Sequence, residues 1–157
     1  MKTNEGMTRK QLFCVVVIAY ILSAVWEFLH YPLYDCPLSQ LSCALRSASI
    51  DVILIVGLYL ISGFILQRKG WICASRRSHK IVIAVVAVIL AYLIELNALW
   101  MQKWSYSALM PIIPLLHVGL SPLIQLPITT LLTLYLAKRI DRTLQCRYTD
   151  TIGTVVP

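Results

Sequence analysis

The sequence predicts an all-α polytopic membrane protein, a bundle of four transmembrane helices with both termini on the cytoplasmic side. Of the 157 residues 59% are hydrophobic and the mean hydropathy is +0.75, well above what a soluble globular chain carries. The apolar residues gather into four runs, about 12–31, 49–67, 81–100 and 111–137. Each run is near or above the roughly 17–25 residues that cross a bilayer core as a helix. Backbone amides in hydrocarbon must be satisfied within a segment, and a barrel would show short alternating stretches instead of these runs.

The basic residues lie between the runs. Formal net charge is +7, but the Lys and Arg residues share no common face, so they read as topology signals and not as a nucleic-acid surface. Lys2, Arg9 and Lys10 precede the first helix. Arg68, Lys69, Arg76, Arg77 and Lys80 fill the second loop, and Lys138, Arg139, Arg142 and Arg147 follow the fourth helix. The first and third loops carry only Arg46 and Lys103, so the positive-inside rule places them outside.

The first run follows basic residues as a signal peptide would, but it continues to about Tyr31 and has no small-x-small cleavage site, so it reads as a retained span. Trp26, Tyr31 and Tyr34 after the first helix, and Trp100, Trp104 and Tyr106 around the third loop, suit the outer interface, with Trp71 as an inner anchor. Pro111, Pro114, Pro122 and Pro127 with Gly119 interrupt the fourth run, which predicts a kinked or broken helix. Residues 1–144 read as one transmembrane domain, and 145–157 as a disordered cytoplasmic tail. The expected location is the plasma (inner) membrane, with lipid as the surrounding partner and no nucleic acid.

Five cysteines divide by side: Cys36 and Cys43 fall in the first outer loop, while Cys14, Cys73 and Cys146 lie toward the inside. Cys36 and Cys43 are therefore a disulfide candidate, with two free thiols as the alternative.

Ionisable residues inside a span cost at least about 2.5–3.5 kcal/mol each on insertion scales, so each asks for a reason. At about 1.5 Å per residue from the inner end, Glu27, Asp51 and Glu95 all fall roughly 21–24 Å up a core about 30 Å thick. Three carboxyls on three helices at one depth make a candidate catalytic or binding site in the outer half of the bundle. Asn97, Trp104, Tyr106, His117 and Gln125 are the candidate substrate-binding groups around it.

Glu27 and His30 have the i, i+3 spacing with which a helix offers two ligands to one metal, so a divalent metal is a candidate cofactor, with Asp51, Glu95 or His117 completing the shell. Without a metal, carboxyls gathered in a low dielectric suit proton transfer or cation binding. The alternative is that these residues are interhelical hydrogen-bonding partners near the interface.

The strings Trp104-Ser105-Tyr106-Ser107-Ala108-Leu109-Met110-Pro111 and Gly119-Leu120-Ser121-Pro122-Leu123-Ile124-Gln125, with Trp26, Glu27, His30 and Asp51, resemble a set of small prokaryotic four-helix inner-membrane proteins. The resemblance spans most of the four helices and implies their fold and polar positions, but no activity. Three functional expectations follow: a membrane-embedded enzyme or metal-dependent catalyst acting on an amphipathic substrate, a small proton- or ion-coupled transporter, or a non-catalytic assembly subunit. Four short helices would need a homodimer to enclose a transport pathway.

Overall fold

A computed structural model describes residues 5–35, 39–65 and 77–153. Helix α1 (Glu5–His30) ends in a 3-10 turn (Tyr31–Leu33) and a short strand β1 (Tyr34–Asp35). Helix α2 spans Gln40–Ile65 and α3 spans Arg77–Trp100. Strands β2 (Ser105–Tyr106), β3 (Ile112–Ile113) and β4 (Val118–Gly119) then lead into α4 (Leu120–Gly153). Each helix contains a stretch long and apolar enough to cross a membrane: Arg9–Leu33, Leu41–Ile65, Arg77–Trp100 and Leu120–Ile140. The chain is thus a mostly helical, multi-pass membrane protein.

Several boundaries differ from those the hydropathy pattern predicts, with α1 starting at Glu5 instead of about 12 and α3 at Arg77 instead of 81. Helix α2 begins nine residues before position 49. Ser39 supplies its cap, its carbonyl accepting from Cys43 N at 2.9 Å and its hydroxyl donating to Ser42 Oγ at 2.8 Å. Ala44 and Ala48 then follow at helical spacing on the buried face.

The fourth helix begins at Leu120 and not at 111. Pro111 and Pro114 lie in or beside a hairpin in which Ile112 pairs with Gly119 and Ile113 with Val118. His117 turns that hairpin with φ 56°. Pro122 falls in the first turn of α4, where its missing N–H costs nothing, and only Pro127 lies inside the helix. At the other end the α4 backbone stays helical to Gly153, past about Gln145, where apolar periodicity stops. Trp71, the expected inner anchor, is outside the described residues.

Helix α1 packs on α2 and on α4, α4 also packs on α3, and α2 meets α3 and α4 only sparsely. The seams are built on small or slim side chains: Val15, Ala19, Ala87, Ala91 and Ala137 are buried, and alanines let backbones approach closely. Large apolar side chains such as Phe13, Leu29, Ile53, Phe64 and Ile81 point outward, as a lipid solvent requires.

The loops at one end form a cap. Tyr34 pairs with Tyr106 and Asp35 with Ser105, while Ser107 donates from its backbone N to Leu33 O (3.0 Å) and from its hydroxyl to Pro32 O (2.9 Å). Gly119 leaves room for Met110 there: a Cβ at this position would lie 2.7 Å from Met110 Sδ and 3.0 Å from its Cγ, so the buried methionine side chain would have to shift. Gly119→Ala is expected to lower stability by about 1–2 kcal/mol through this overpacking. A double-mutant cycle with Met110→Ala in detergent unfolding should return a favourable coupling; additive losses would mean that the two side chains do not meet.

Candidate functional site

Helix periodicity decides which side chains face inward. On α1 the residues Gln11, Val15, Ala19, Ser23 and His30 are buried along one face, and Glu27 falls on it one turn after Ser23. Asp51 on α2, Glu95 on α3 and Gln125 on α4 face the same point. These four, with His30, Tyr34, Ser47 and Trp104, line a cavity of ≈ 110 Å³ at the capped end of the bundle. Equal depth thus becomes convergence: all three predicted carboxyls share one cavity.

Gln125 holds two of them. Its Nε2 lies 2.6 Å from Glu27 Oε1 and 2.6 Å from Asp51 Oδ2, so the two hydrogens of one amide serve carboxyls from two helices. The carbonyl of Gln125 in turn accepts from Thr129 Oγ1 at 2.8 Å, which anchors the α4 turn carrying the amide.

Glu95 is held by the cap. Its Oε1 accepts from Tyr34 OH at 3.1 Å and from Trp104 Nε1 at 3.2 Å, and the Tyr106 hydroxyl also faces it. Tyr106 OH accepts from Gly119 N at 2.8 Å, which ties the base of the hairpin to the same group. The rings form a wall: Tyr34 lies 5.4 Å from His30, 5.6 Å from Tyr106 and 6.0 Å from Trp104, the last edge-to-face. Burial, together with the Glu95 carboxyl beside them, pushes the Tyr34 and Tyr106 phenols above the usual tyrosine range. Both therefore remain neutral donors through ordinary pH.

His30 completes the polar set. Its Nδ1 lies 3.0 Å from Trp26 O, and since a carbonyl only accepts, Nδ1 carries the proton. In the neutral ring Nε2 is then an acceptor, and it lies 3.9 Å from Glu27 Oε2. Two acceptors facing each other across that gap suit a shared proton or an N–H donor between them.

Not every predicted group arrives. Asn97 is exposed and outside the cavity, being about 200° around α3 from Glu95. His117 is exposed at the hairpin turn, because the segment carrying it is not helix. Trp104 lines the cavity, but it and Tyr106 act first as partners of Glu95 and not as an independent substrate wall. For a metal, Glu27 and His30 offer two donors, and no group of three or more His, Cys, Asp or Glu forms among the described residues to complete a shell. Cys43 is disulfide-bonded and lines the cavity, while its candidate partner Cys36 is outside the described residues. Sequence reasoning gave Tyr34 only an interfacial role; its place after the 3-10 turn, opposite Tyr106, is a tertiary feature with no local signal.

The chain matches no protein-family model, no curated protein and no solved structure. The chemistry of the site is therefore read from its own geometry. Among the described residues no Lys or Arg lines the cavity, and each carboxyl is braced by neutral donors.

Two outcomes test this arrangement. Gln125→Leu keeps the volume but leaves Glu27 and Asp51 without their donor, and should cost about 2–4 kcal/mol in detergent unfolding; a loss under about 0.5 kcal/mol would mean the bridge is not formed. Because the raised Tyr34 phenol ionises more readily in the unfolded chain, its contribution to stability is present below about pH 10 and is lost as pH rises beyond it. Tyr34→Phe should flatten that alkaline fall, measured as unfolding midpoint against pH.

Proposed function

We propose that this is a multi-pass protein of the inner membrane, both termini cytoplasmic, whose cavity lies in the outer half of the bilayer. There it binds an amphipathic molecule by a positively charged head group and exchanges protons with it. The orientation rests on the distribution of Lys and Arg among the flanking segments.

The observation that carries the reading is the meeting of Glu27, Asp51 and Glu95 in one cavity that, among the described residues, no Lys or Arg lines and where the one imidazole, His30, faces Glu27 at 3.9 Å. Gln125, Tyr34 and Trp104 orient the carboxyls but bring no positive charge, so a cation or protons must balance them. The size of the cavity limits what enters. An apolar cavity of about 150 Å³ holds one benzene ring, so ≈ 110 Å³ takes a head group and not a whole lipid. The sparse packing of α2 against α3 leaves the apolar remainder a way toward the bilayer between Leu54 and Ile94, both of which line the cavity.

A second reading, an acid–base catalyst on the same substrate class, is favoured by one feature: the 3.9 Å gap between His30 Nε2 and Glu27 Oε2, where a proton can pass between a neutral imidazole and a carboxyl. An assembly subunit would explain the helices but not the convergence of the carboxyls.

Trp104 reports on the cavity from within. In lipid nanodiscs, dodecylammonium should change its fluorescence and release protons into weakly buffered medium, dodecanol should bind more weakly, and dodecanoate should not bind. Asp51→Asn and Glu95→Gln should each weaken the ammonium response about tenfold or more, and Trp104→Phe should remove the signal. Equal responses to the three head groups, or an Asp51→Asn protein that behaves like the parent, would overturn the proposal.

A further inference from the structure

Just inward of the carboxyl cavity, the buried faces of α1 and α4, two helices that pack on each other, carry three hydroxyls. Ser23, Thr130 and Thr133 are all completely buried, and the hydroxyl oxygen of each lacks a hydrogen-bond partner in good geometry. A buried hydroxyl without a partner costs about 1–3 kcal/mol, and serine or threonine in a membrane helix ordinarily avoids this by bonding to its own backbone one turn back. Thr129 does so, donating to Gln125 O at 2.8 Å. Its neighbour Thr130 and, three residues further on, Thr133 do not, although Leu126 O and Thr129 O stand one turn back of them.

The three oxygens also have a direction. Ser23 lies one turn inward of Glu27 on the buried face of α1, with its hydroxyl close to the Asp51 carboxyl but outside good hydrogen-bond geometry. Thr130 and Thr133 follow Gln125 on the buried face of α4, which packs against α1. From Gln125 to Thr133 is about 12 Å along the helix. The side chains that continue these faces, Ala19 and Val15 on α1 and Leu134 and Ala137 on α4, are apolar, and the next buried polar groups are Tyr59, about 12 Å inward of Asp51, and Gln11 at the far end of α1. The titratable groups facing the start of the file are Glu27 and His30 from α1, Asp51 from α2 and Glu95 from α3.

We propose that Ser23, Thr130 and Thr133 form a hydrated proton path that leads from the carboxyl cavity along the α1–α4 seam into the inner half of the membrane. Each hydroxyl accepts one proton and passes on another through intervening water, so that only O–H bonds break and form and the proton leaving a cavity carboxyl appears on the inner side. The unpartnered oxygens are the acceptors and donors that such water needs. The packed apolar side chains beyond Thr133, Leu134 and Ala137 on α4 with Val15 and Ala19 on α1, leave a stretch wetted only intermittently, which suits a carrier and not an open channel. This inference rests on the reading of the cavity as a proton-exchanging site.

The test is proton influx into liposomes holding the full chain and a trapped pH dye, driven by a potassium diffusion potential. The parent should conduct above empty liposomes. Thr130→Val with Thr133→Val should lower the flux at least tenfold, and Ser23→Ala should lower it several-fold. Ser49→Ala, at an exposed hydroxyl bonded to Leu45 O, should stay within twofold of the parent. Because valine matches threonine in shape and removes an unsatisfied group, the double variant should unfold at the same temperature as the parent or higher. If the double variant does not fold, Thr133→Val alone replaces it with the same expected loss. Flux in the valine variants within twofold of the parent, or a parent no different from empty liposomes, would overturn the path. If the ammonium-driven proton release at the cavity persists in that case, the path alone fails; if that release is also missing, the reading of the cavity fails with it.

Discussion

The structure turns on one side-chain amide. A carboxyl in the hydrocarbon region of a membrane needs a donor or a proton, and leaving it without either costs several kcal/mol. Gln125 answers that need for two carboxyls at once, giving one N–H to Glu27 and the other to Asp51 at 2.6 Å each. The hydrogen bonds join α4 to α1 and to α2. The second join matters more, since α2 otherwise barely touches α4. A polar contact thus holds in register a helix pair that apolar packing leaves loose, where lipid gives helices no hydrophobic reason to associate.

The third carboxyl is held from the loops. Glu95 takes its donors from Tyr34 and Trp104, and those rings are placed by the β1–β2 pair and by Ser107, which bonds back to Pro32 and Leu33. Tyr106 carries the constraint on to Gly119 and so to the start of α4. The helices position two carboxyls and the cap positions the third. The cavity between them is thus walled by aromatic rings on its cap side, while α2 and α3 meet only sparsely on another, and the proposed division between a bound head group and an apolar chain rests on that asymmetry.

Much of this was legible in the sequence, and the limits have physical causes. Four apolar runs announce four helices because hydrocarbon imposes both their length and their composition. The common depth of Glu27, Asp51 and Glu95 follows from a fixed rise per residue, so it too is readable. Rotation about the helix axis is less so. Asn97, a candidate by its height, is turned about 200° from Glu95 and stays exposed outside the cavity, and rotation alone does not reveal that Gln125 would serve two carboxyls at once. The largest departure lies at Pro111–Gly119, where hydropathy alone extends the fourth helix outward and the prolines predict a kinked or broken helix. A proline pair followed by a residue at positive φ makes a hairpin instead, which removes His117 from the site. Tyr34 was beyond reach, since its contact with Glu95 joins residues 61 positions apart.

The account stands on the convergence of Glu27, Asp51 and Gln125, and proximity in the native membrane measures it most directly. Cysteines would be placed pairwise at these positions, with the native thiols replaced, and treated with a short bifunctional thiol reagent. The account predicts rapid cross-linking for Glu27→Cys with Gln125→Cys and for Asp51→Cys with Gln125→Cys, and little for Gln125→Cys paired with the outward-facing Ile53→Cys. Cross-linking at Ile53 as efficient as at Asp51 would contradict the shared cavity and the function built on it.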